Sequence, residues 1–128
     1  MWKLNLGLFL LRLLPSSMLI IGHGWPKMMQ FSQLQGQFPN PIGLGSTVSL
    51  ILTIIVEVFC PLFIILGLAT RINSILVFML FVIAGFLVHG QDPWNAKELA
   101  LMYSIPFLVL SLTGAGSYSI DEKKGIIF

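Results

Sequence analysis

The chain has 128 residues, of which 56% are hydrophobic and only 9% charged, with a net charge of +2. A soluble domain carries about 25% charged residues, so a soluble globular domain is excluded, and so small and scattered a charge excludes nucleic acid as a partner. With a mean hydropathy of +0.93, the composition is that of an integral membrane protein of one small domain, residues 1–128, whose partner is the lipid bilayer.

Four apolar runs are predicted to span the membrane, at about residues 4–29, 46–68, 72–89 and 96–112. Each is near the ~20 residues that cover ~30 Å of hydrocarbon, the third and fourth at the short end. The predicted fold is therefore all-α, an integral membrane bundle of four transmembrane helices. The first run is interrupted by Arg12 and Pro15, exceeds a signal-peptide core and has no small-residue cleavage site after it. It is expected to be retained.

Residues 31–45 follow as a polar, uncharged loop whose Pro39-Asn40-Pro41 cannot continue a helix. Phe31, Leu34 and Phe38 lie at i, i+3 and i+7, a spacing that suits a short amphipathic helix on the membrane surface; a disordered loop fits equally well. The second run carries Glu57, the only charge between Val48 and Leu68. The tight connection at residues 67–73 makes the second and third helices antiparallel neighbours. A short turn at residues 90–95 leads into the fourth run, and Asp121-Glu122-Lys123-Lys124 reads as a solvated end.

Four crossings put Lys3, Arg71, Lys123 and Lys124 on one side and Lys27 and Lys97 on the other. The basic excess places both termini in the cytoplasm. Trp2 then marks the inner interface, with Trp25 and Trp94 at the outer one.

An ionisable group near a bilayer centre costs several kcal/mol, roughly 2.5–3.5 for Asp on insertion scales, unless something offsets it. Arg12, the charge inside the first apolar run, is the expected partner of Glu57. At 1.5 Å per residue, Arg12 lies about 12 Å, and Glu57 about 16 Å, from the cytoplasmic ends of their helices. A guanidinium–carboxylate pair can be bidentate, which partly offsets desolvation. The pair could serve only to lock two helices, or could also handle protons or a ligand.

A second polar cluster gathers near the outer helix ends. His23, Lys27, His89, Glu98 and Tyr103 come from the first, third and fourth helices and are expected to line a cup for a ligand or protons, with the Arg12–Glu57 pair as its floor. Histidine titrates near neutral pH and suits proton exchange. The plainer reading is that Lys27 and Lys97 snorkel to headgroups and Asp92 is solvated. Two histidines on different helices could ligate haem iron, but so small a signal does not carry that assignment. No further His or Cys stands nearby for a zinc site, so no metal is expected. The lone Cys60 cannot form an internal disulfide.

Several short motifs follow one another along the chain. They are Leu10-Leu11-Arg12-Leu13, His23-Gly24-Trp25-Pro26-Lys27, Val56-Glu57-Val58, Leu66-Gly67-Leu68-Ala69-Thr70-Arg71, Glu98-Leu99-Ala100-Leu101-Met102-Tyr103, and the closing Gly114-Ala115-Gly116-Ser117-Tyr118-Ser119-Ile120-Asp121. Together they resemble the DoxX family of small bacterial four-helix membrane proteins over nearly the whole chain. The resemblance implies a bacterial inner-membrane location and a link to redox functions. A related DoxD-type subunit belongs to a thiosulfate:quinone oxidoreductase, and other members are associated with thiol-redox partners. By the same resemblance, Arg12, His23, Lys27, Glu57, Arg71 and Glu98 occupy the recurring polar positions. Ser117 departs from the pattern, where a basic residue is more usual.

Three functions stay open on the residues. The first is a membrane subunit of a redox system, with quinone as the ligand and electrons supplied by a partner subunit, because no flavin, iron–sulfur or dinucleotide motif is present. The second is a non-catalytic assembly factor, anchor or chaperone. The third is a small-molecule or ion transporter.

Overall fold

The structure, a computed structural model, describes residues 1–126. Four of its helices are long and apolar enough to cross a membrane: α1 (Trp2–Met29), α3 (Ser46–Leu66), α4 (Thr70–Val88) and α5 (Trp94–Thr113). Two short helices complete it, α2 (Phe31–Leu34) and α6 (Ile120–Lys124). The fold is an all-α membrane bundle, and the first half of α1 and the closing residues 114–126 lie at one end of it.

The four long helices pack in a ring in chain order, α1 on α3, α3 on α4, α4 on α5 and α5 back on α1. Their shared core is Leu19, Cys60, Ile64, Val77, Phe81, Ala100, Phe107 and Leu110. Most other large apolar side chains, Ile21, Leu66 and Leu112 among them, face outward, as lipid-facing surface does. Phe31, Leu34 and Phe38 are half-buried, and the first two lie in the short helix α2. They pack onto Leu50, Ile54 and Val58 of α3, a second small core that holds the loop against the bundle.

Three of the spans contain one widened turn, at Ile20–Gly24, Ile55–Phe59 and Ala84–Val88. Two of these run directly into Trp25-Pro26 and Cys60-Pro61. Proline has no N–H for the carbonyl four residues back and its ring crowds that carbonyl, so the turn opens to i→i+5 bonding. Such turns often mark functional sites. Here they carry His23 and Glu57.

The first two widened turns also touch. A Cβ on Gly24 would lie 2.7 Å from the Glu57 carbonyl oxygen and 2.5 Å from Val58, so only glycine lets the backbones approach so closely.

The end of α3 is closed by Gly67 at φ 73°. Leu68 N–H donates to Phe63 O (2.8 Å) and Gly67 N–H to Ile64 O (3.0 Å), the paired bonds of a Schellman ending.

Candidate functional site

Glu57 is buried in the bundle, and its partner is Lys27. Lys27 Nζ donates to Glu57 Oε1 at 2.8 Å and to Oε2 at 2.9 Å. The carboxylate is 4% exposed and the ammonium side chain 23%. The expected Arg12–Glu57 pair is therefore not formed. The reason is the direction of helical side chains, which lean toward the N-terminus of their own helix. Arg12 leans toward the end carrying the termini. Glu57, on the antiparallel α3, leans toward the opposite end, away from Arg12. Lys27 leans down from that opposite end, so Lys27 and Glu57 converge.

Arg12 has a different task. It is 1% exposed and donates through Nη1 to Ile64 O (3.3 Å) and Ile65 O (3.2 Å) and through Nη2 to Tyr118 O. The first two are among the last carbonyls of α3, which have no intrahelical N–H to receive. A planar fork of five donors suits several acceptors at once, and a cation is favoured at a helix C-terminus.

Asp121 does the reverse for α4. Its carboxylate accepts from Ala69 N–H (2.7 Å) and Thr70 N–H (2.9 Å). The tail is thus not simply a solvated end. Asp121 is buried, and its own N–H donates to Gly67 O at 2.8 Å. Sequence reasoning missed this role. The available signal was Ser119 three residues before Glu122, an N-cap spacing, and Ser119 Oγ does accept from Glu122 N–H at 3.2 Å. Gly67 has no room for a side chain, since a Cβ would lie 2.3 Å from Ser119 Cβ and 2.5 Å from Arg12 Nη1.

Above the Lys27–Glu57 pair, toward the end opposite the termini, is a cavity of about 440 Å³. His23, Lys27, His89 and Tyr103 all border it, together with Glu57. Glu98 does not; it is exposed on the outside of α5. His89 sits at the rim with Nδ1 2.8 Å from Asp92 Oδ2. Tyr103 is packed between two rings, edge-on to His23 and stacked on Phe81, each at 5.1 Å between centroids. Ser49 and Thr53 add hydroxyls to the α3 wall, a pair at i, i+4 that sequence reasoning passed over.

The rest of the lining is apolar. A largely apolar cavity of this size with a few convergent polar groups has the usual make-up of a small-molecule site.

The DoxX family model matches residues 7–90, a stretch that holds Arg12, His23, Lys27, Glu57 and His89. The chain belongs to the DoxX family. Among relatives of this DoxX protein, "Inner membrane protein YqjF" of Escherichia coli (strain K12) is 29% identical over 122 residues, covering 92% of each chain. An uncharacterized protein of Haemophilus influenzae is 30% identical over 122 residues, covering 88% of this chain and 87% of the other. No solved structure is significantly similar.

Proposed function

We propose that this DoxX protein is the membrane subunit of a redox system that binds a quinone head in the cavity above Lys27 and Glu57, with electrons delivered by a partner protein. The observation that carries this reading is the cavity itself, apolar on most of its wall and floored by a buried ion pair. An anchor or assembly factor needs no such space. A bound quinone would supply two-electron, two-proton carrier chemistry. The chain's own part is to hold and orient the head. Lys27 spends two of its three ammonium hydrogens on Glu57, leaving one for a carbonyl oxygen. Tyr103 brings a phenolic donor to the same wall, and His23 is placed to pass a proton.

The reading is tested by titrating a tail-less benzoquinone into the protein in nanodiscs. Tyr103→Phe and His23→Gln should each weaken binding about fivefold, the worth of one ordinary hydrogen bond, with thermal stability kept. No measurable binding to the wild-type protein would sink the reading.

The inner membrane, named for the Escherichia coli relative, is the proposed location, with both termini in the cytoplasm. The Lys27–Glu57 pair strengthens the charge argument. It withdraws Lys27 from the side opposite the termini, which leaves Lys97 there against Lys3, Arg71, Lys123 and Lys124. A cysteine placed at residue 3 or 123 should resist an impermeant maleimide in intact spheroplasts and react once the membrane is opened. Labelling before opening reverses the orientation.

A further inference from the structure

Resting on the reading of the cavity as a ligand site, we infer that its occupant is a long-chain membrane molecule with an uncharged, hydrogen-bonding head, entering sideways from the bilayer between α3 and α4. The opening is set by how these two helices pack. Their contact is concentrated at Cys60–Leu66 and thins at Ile55–Phe59, and Ser46–Ile54 has at most marginal contact with α4. The helices therefore part above Glu57.

The parted faces are apolar. Leu76, Met79, Leu80 and Ile83 line the cavity from α4 at i, i+3, i+4 and i+7, one continuous stripe. From Leu76 to Val88 the wall runs about 18 Å at 1.5 Å per residue. At its mouth Leu52, Leu76 and Met79 are 43%, 43% and 51% exposed, all within membrane-spanning segments. They face hydrocarbon rather than water.

The aqueous side is covered. Phe38, Pro39, Pro41 and Ile42 of the loop border the cavity there. The Asn40 side-chain oxygen fastens that loop by accepting from Gly45 N–H (2.9 Å) and Ser49 Oγ (3.3 Å).

The charge of the head follows from the floor. Lys27 and Glu57 cancel each other, so an ionic head would bring an unbalanced charge to hydrocarbon depth. A carbonyl or hydroxyl head brings none. A carbonyl can accept the remaining Lys27 hydrogen, and a hydroxyl can also donate to the free lone pairs of Glu57.

Full-length protein in phosphatidylcholine nanodiscs would be titrated with three probes, with affinities corrected for bilayer partition. These are a tail-less benzoquinone, the same head on a ten-carbon chain, and decyl phosphate. The tailed quinone should bind wild type about tenfold more tightly than the tail-less one, a gain from van der Waals packing of the chain along the stripe. Met79→Trp, filling the mouth, should remove that tenfold gain and bring the affinities of the two quinones together. Decyl phosphate should not compete.

Equal affinity for the two quinones in wild type, or competition by decyl phosphate, overturns the inference while the head site stands. If neither quinone binds wild type, site and inference fall together. Should Met79→Trp lose tail-less binding as well, Leu52→Trp on the opposite lip decides by the same criterion. Disulfide-linked dimers of Met79→Cys in native membranes would show that a second copy fills the groove, which also overturns the inference.

Discussion

Replacing Lys27 with alanine should destabilise the bundle by about 3–5 kcal/mol, and replacing Glu57 with alanine by clearly less. Breaking a buried pair costs that much because one charge is left without a partner. The two partners are not stranded alike. Glu57 sits in the middle of α3 with a carboxylate only 4% exposed, whereas the Lys27 side chain is already 23% exposed and stands two residues from the end of α1. An unpaired Lys27 can swing its ammonium out to the interface along its flexible stem. An unpaired Glu57 has no such exit.

The double substitution Lys27→Met with Glu57→Leu should recover most of the loss. Reversible unfolding from mild detergent measures all four corners of that cycle. Equal single effects with no coupling would remove the pair as a structural element. The parallel cycle of Arg12→Leu with Glu57→Leu should be additive, because these side chains lean apart and share no bond.

Arg12→Leu should cost a similar amount, about 3–5 kcal/mol, through the opposite end of the molecule. Each hydrogen bond from a charged donor is worth about 1.5–3 kcal/mol, and the bonds are not fully additive. Arg12 makes them to Ile64, Ile65 and Tyr118, so its loss frees the end of α3 and the closing segment together. Arg12→Lys keeps the charge but not the planar fork and should recover no more than half. Protease cleavage within residues 114–126 should accelerate in step with the loss, since that segment is held by Arg12 at Tyr118 and by Asp121 at the α3–α4 turn. Wild-type stability in Arg12→Lys, with no added cleavage, would show that charge alone is needed there.

Both predictions turn on what could and could not be read along the chain. Composition and the four apolar runs determined the class, the number of crossings and the antiparallel order, because a bilayer demands long stretches with every backbone group bonded internally. Glu57 stood out for the same reason, since a lone carboxylate in such a run must have a partner. The sequence could not name that partner by depth. Counting residues places Cα atoms, while a lysine or arginine reaches several ångströms from its Cα in a direction set by its helix. Applying that direction to the antiparallel α1 and α3 favours Lys27 over Arg12, and only the assembled bundle shows the contact made.

The gathering of His23, Lys27, His89 and Tyr103 around one space, and the separation of Glu98 from it, were likewise decided by helix rotation. Helix rotation depends on packing at Gly24 and the shared core. Asp121 was hidden because the donors to its carboxylate are backbone N–H groups 51 and 52 residues away. Backbone groups carry no residue type, so a contact made to them leaves no mark in the sequence at the receiving end.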